Sequence, residues 1–131
     1  MIVTFRSAAF NTSTPEKHFV SPRAYGGDLA NWLIYELARH DAAVEPMIGQ
    51  KEAGWIVRFR FRGATYDFFA RYRGGPDWVG LLEHRRGIVA RLFHRRQKNV
   101  EFDALRLIDS VLSSSELITD VRWHYEEPWS L

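Results

Sequence analysis

The chain has 131 residues, 46% hydrophobic and 26% charged, with aromatics at 15% and no cysteine. That length suits one domain, and the absence of cysteine excludes disulfide frameworks, thiolate metal sites and a cysteine nucleophile. No apolar run reaches the length of a membrane-spanning helix, and Met1–Phe10 lacks the pattern of a secretory leader, so the expectation is a cytoplasmic protein.

Taken along the chain, Ile2–Arg6 is β-prone and predicts a short first strand. Asn11 to Ala24, with Pro15 and Pro22, reads as a long loop. Gly26-Gly27 ends that loop, and Asp28 is placed to cap a helix. Leu29, Trp32, Leu33 and Leu37 recur at helical spacing up to about His40. The stretch from Asp41 to Ala53, holding Pro46 and Gly49, reads as a connector.

A hairpin follows. Trp55, Val57, Phe59 and Phe61 alternate with Arg58, Arg60 and Arg62, so one strand face is apolar and the other basic. Gly63-Ala64 is read as a type II′ turn. The returning strand puts Tyr66, Phe68, Ala70 and Tyr72 on the apolar side and Thr65, Asp67, Phe69, Arg71 and Arg73 on the other. Setting Arg62 opposite Thr65 makes the two apolar faces coincide and brings Arg60 opposite Asp67. A slip of one residue would bury the arginines.

Gly74-Gly75-Pro76 predicts a second turn, and Asp77 to Arg85 a third hairpin strand. Ile88, Val89, Leu92 and Phe93 suggest a short helical segment between basic flanks. A second long helix is expected from Asn99 or Glu101, with a stripe of Ala104, Leu105, Ile108, Val111 and Leu112, ending at Ser113-Ser114-Ser115. A last strand runs from about Ile118 to Glu126. The predicted order is β-α-β-β-β-α-α-β. It implies a single two-layer α+β domain over residues 1–131, an antiparallel sheet of four to five strands with two main helices on one face.

The net charge of +2 hides a segregation. Ile56–Lys98 carries eleven Arg or Lys against three acids, +8, which leaves −6 for the rest. Such a split marks either a binding face for an acidic partner or a basic sheet neutralised internally by acidic helices.

Motifs with chemistry are scarce. The five histidines, His18, His40, His84, His94 and His124, make no paired metal-ligand spacing, so no metal site and no cofactor are expected. His84 and His124 would approach each other only if their strands were neighbours. No nucleophile elbow or phosphate-binding glycine loop occurs, and Asp28 would repel an anion from the helix start at Gly26-Gly27, so no catalytic residue is assigned. The candidate partner-binding residues are Arg58, Arg60, Arg62, Arg71 and Arg73, with Phe69 among them and Trp78 nearby. Basic residues around an aromatic also suit single-stranded nucleic acid. The run typical of RNA-recognition sheets is absent.

Several short runs carry a resemblance: Asp28-Leu29-Ala30 and, one residue on, Trp32-Leu33, then Pro46, Gly54-Trp55, and Val121-Arg122-Trp123. Together they resemble small bacterial α+β proteins, many uncharacterised and some similar to immunity proteins of polymorphic or type VI secreted toxins. The likeness spans nearly the whole chain. Where that set carries acids and an aromatic before Gly-Trp, this chain has Lys51-Glu52-Ala53. The resemblance implies a non-enzymatic protein binder, in its specific form one that neutralises a cognate toxin. The alternatives are a nucleic-acid binder using the arginine face and an enzyme without a familiar motif, which would need a concave pocket with convergent polar groups.

Overall fold

In the computed structural model the described residues are 1–14, 25–45, 49–51, 54–85 and 94–125, with 49–51 and 94–101 described by their backbone alone. The strands are β1 (Ile2–Arg6), β2 (Ala43–Val44), β3 (Gly49–Lys51), β4 (Gly54–Phe61), β5 (Ala64–Gly74), β6 (Asp77–Arg85) and β7 (Thr119–His124). The helices are α1 (Gly27–Arg39) and α2 (His94–Ser113). The predicted short helical segment at Ile88–Phe93, the loop from residue 15 to 24 and the chain after Tyr125 lie outside the described residues.

All the strands join one antiparallel sheet in the order β2-β4-β5-β6-β1-β7, with β3 pairing β4 beside β2. This is the expected α+β architecture with more strands than expected. The additions are β2 and β3, drawn from the supposed connector. Two or three residues are too few to show a period of two, and they become strands because the outer edge of β4 offers free backbone groups to pair with.

The β4–β5 hairpin has the predicted faces but not the predicted pairing. Phe61 pairs with Ala64 and Arg58 with Asp67, a register displaced by two residues from the one expected. A two-residue shift leaves every side chain on its own face, so hydrophobic alternation does not distinguish the two registers. The turn decides. It consists of Arg62 (φ 50°) and Gly63 (φ 81°), two consecutive positive-φ residues that define a type I′ turn rather than II′.

One face of the sheet carries Val57 and Phe59 of β4, Tyr66 and Phe68 of β5, Trp78 and Leu82 of β6, and Val3 and Phe5 of β1, all buried. Against it lie Leu29, Ala30, Leu33 and Leu37 of α1 and Ala104, Ile108, Val111 and Leu112 of α2, in one core. Each fully buried large side chain is worth about 1.5–3 kcal/mol of transfer free energy. The core closes where rings meet missing side chains: Phe68 lies over Gly80, whose Cβ would fall 2.2 Å from the ring's Cζ. At the start of α1, Gly26 (φ 119°) is the N-cap residue, and Gly27 lies against Trp55.

Asp28 is therefore in the first turn of α1 rather than at its cap. Its carboxylate accepts the Leu29 and Asn11 amides at 2.9 and 2.7 Å, which ties the start of the helix to the chain leaving β1. Helix α2 begins five residues before Asn99, because Arg95, Arg96, Gln97 and Lys98 are adequate helix formers that carry no apolar stripe. No helix among the described residues is long and apolar enough to cross a membrane.

Candidate functional site

Both described helices lie on the apolar face, so neither covers the basic face of the sheet as one reading of the charge pattern required. Its neutralisation comes from within. Arg58 donates two hydrogen bonds to Asp67, at 2.7 and 3.2 Å, and Arg85 on the next strand donates a third at 3.2 Å. Burial alone would raise the Asp67 carboxyl, but the hydrogen bonds from Arg58 and Arg85 outweigh it and hold the group below the usual carboxylate range. The same hydrogen bond raises the Arg58 guanidinium. At the other end of the sheet, Arg6 contacts Asp77 at 3.2 Å and Asp120 at 3.8 Å.

The strand registers place seven arginines on this face, Arg6, Arg58, Arg60, Arg71, Arg73, Arg85 and Arg122. Five acids accompany them: Glu45, Asp67, Asp77, Glu83 and Asp120. Of the eleven cations of residues 56–98, six belong to the β4–β6 stretch and five fall at positions 86–98, whose side chains are not among those described.

The predicted contact residues separate accordingly. Arg58 is half-buried and held by Asp67. Arg62, at the turn, reaches over to Asp103 of α2 at 3.2 Å. Arg71 is half-buried. Arg60 and Arg73 are exposed and make no ion pair with the described residues. Arg73 stands where the β5–β6 register shifts by one residue, a bulge that turns it outward. Phe69 is half-buried, its ring pressed onto Gly54, where a Cβ would meet Cζ at 2.5 Å. With Ile56, Leu81 and Ile2 it forms an apolar row across the middle of the face. Trp78 requires correction as a contact residue: it is 1% exposed, on the helix-covered side, packed against Phe10 and Tyr72. Inward alternation with Gly80 and Leu82 already places it there.

The two histidines proposed as possible neighbours are separated. His124 lies on the basic face, its Nε2 3.1 Å from Thr4 Oγ1. His84 lies on the opposite face, its ring 5.1 Å from that of Tyr66, and β1 runs between their strands. Among the described residues no three His, Asp or Glu side chains gather as metal ligands would.

A feature the sequence did not disclose is a cleft of about 610 Å³ between α2 and the β5–β6–β1–β7 end of the sheet. Tyr66, Leu82 and His84 line it from the sheet, Phe102, Leu105 and Asp109 from α2, and Trp123 and Tyr125 from the C-terminal strand and just beyond. Phe102 and Tyr125 are 53% and 89% exposed. Asp109, which is not part of the apolar stripe of α2, accepts Trp123 Nε1–H at 2.9 Å and Ser113 Oγ–H at 3.3 Å, both on Oδ1. Its only sequence signal is its place seven residues after Phe102, on one helix face.

Compared with protein-family models, curated proteins and solved structures, the chain matches none of them.

Proposed function

We propose that this chain is a protein-binding module that docks an acidic protein surface on the face of its sheet opposite the two described helices. The observation that carries this is the uneven neutralisation of that face. Arg58 and Arg85 are closed onto Asp67, whereas exposed Arg60 and Arg73, each four residues along its strand from the row of Ile56, Phe69 and Leu81, have no described acid attached. An apolar centre bordered by free arginines is a common composition for protein interfaces. The resemblance to immunity proteins supplies the specific form, a cognate secreted toxin, whose capture surface charge would accelerate. Nothing in this reading calls for catalysis.

Nucleic acid is the second reading, and Phe69 weighs against it. The end of its ring is spent on Gly54, which leaves less aromatic surface for stacking bases.

The test is a matched capture from native lysate with wild type and an R60E/R73E variant, both checked for the same melting temperature. Arg58 is left intact because its loss would strand Asp67. A nuclease-resistant protein held by wild type and released by the variant is the expected result. Equal capture by the two proteins refutes the docking face. Capture that disappears with nuclease, and falls steeply with salt, would move the assignment to nucleic acid.

A further inference from the structure

We infer that the cleft beneath α2 binds a small organic cation, an amine or quaternary ammonium with an apolar body. This site is on the opposite side of the sheet from the docking face and is independent of it. Its volume, about 610 Å³, falls within the range of small-molecule sites, and its wall is mostly apolar, with four aromatic rings and a few polar groups. Tyr66 forms the buried floor, and the rings of Phe102, Trp123 and Tyr125 stand around the opening.

The charge of the ligand follows from Asp109. Trp123 and Ser113 both donate to its Oδ1, which fixes the carboxylate in place. Its Oδ2 accepts from no described residue. Among the described lining residues, the Met1 ammonium is turned to the Leu82 carbonyl at 3.3 Å. The aromatic surface already attracts cations, since the Arg106 guanidinium lies 4.5 Å from the centroid of Phe102. A carboxylate held rigid among ring faces favours an ammonium over a neutral or anionic group of the same shape.

The experiment titrates the full chain with phenylbutylamine, phenylbutanol and phenylbutyrate and follows the Trp123 indole N–H by NMR. That proton is bonded to Asp109, so it reports on the site itself. Expected is saturable movement of this resonance, with the amine bound at least about tenfold more tightly than the alcohol. D109N should bring the amine to the affinity of the alcohol while the rest of the spectrum keeps its dispersion. If D109N unfolds, the ranking of the three compounds on wild type still decides. Equal affinities, tightest binding of the carboxylate, or no movement of the resonance at millimolar ligand would each overturn the inference. R60E/R73E should bind the amine as wild type does, so failure of the docking face and failure of the cleft are read separately.

Discussion

Replacing Gly80 with Ala places one methyl group where the core has no room. Gly80 is buried on β6 beneath the ring of Phe68, and its Cβ would lie 2.2, 2.7 and 3.0 Å from three ring carbons. Phe68 is fully buried, so the ring has nowhere to retreat without displacing its neighbours. Overpacking of this kind costs about 1–3 kcal/mol, and three simultaneous overlaps place G80A at the upper end. At about 2.1 cal/mol/K of unfolding entropy per residue, 131 residues give about 0.28 kcal/mol/K, so about 3 kcal/mol lowers the melting temperature by about 11 °C. Differential scanning calorimetry measures this directly. A companion variant sharpens it. F68L removes the ring and costs stability alone, but in G80A/F68L the new methyl enters vacated space. The double variant should therefore be more stable than the sum of the single effects by about 1 kcal/mol or more. A melting temperature for G80A within about 2 °C of wild type, or simple additivity in the cycle, would refute the close approach of Phe68 to Gly80.

Asp67 makes stability depend on acid. Its folded pKa is lowered, so its contribution is present above the ordinary carboxylate value of about 4 and is lost as pH falls through the depressed folded value. The stability gap between wild type and D67N in urea titrations should be widest near neutrality and narrow below about pH 4; a gap independent of pH would contradict the Arg58–Asp67–Arg85 cluster. Arg62 occupies the left-handed region in a type I′ turn, which Asn tolerates better. R62N should gain about 0.5 kcal/mol despite losing the exposed Asp103 contact, and about 1 kcal/mol in a D103N background, read by chemical denaturation. Destabilisation by R62N in that background would argue against the turn.

Much of the architecture was determined by the sequence alone, because it depends on short periods. The alternation of rings and arginines assigned the residues of both hairpin strands to their faces, except Arg62, which lies in the turn and reaches α2, and the stripes of Leu29–Leu37 and Ala104–Leu112 marked the buried sides of both helices. Trp78, a candidate surface contact, alternates with Gly80 and Leu82 on the strand face that the helices cover, where it is 1% exposed. The segregated charge was also plain in the sequence. Its distribution in space was not: about half of the segment's cations belong to the sheet, where Arg58 and Arg85 meet Asp67 while Arg60 and Arg73 meet no described acid.

Only the tertiary structure decided matters that periodicity leaves degenerate. A two-residue shift in pairing preserves all faces, so the choice between Arg60 and Arg58 as the partner of Asp67 rested on the positive φ of Arg62 and Gly63. The insertion of β1 between β6 and β7 separated His84 from His124, and no local pattern encodes the order of strands distant in sequence. The cleft depends on the same long-range placement. Tyr66, Asp109 and Trp123 are scattered along 58 residues of chain, and they meet only because α2 returns the last strand to the edge beside β1. Local chemistry thus determined what each element buries, while the packing of remote elements decided which polar groups share a surface.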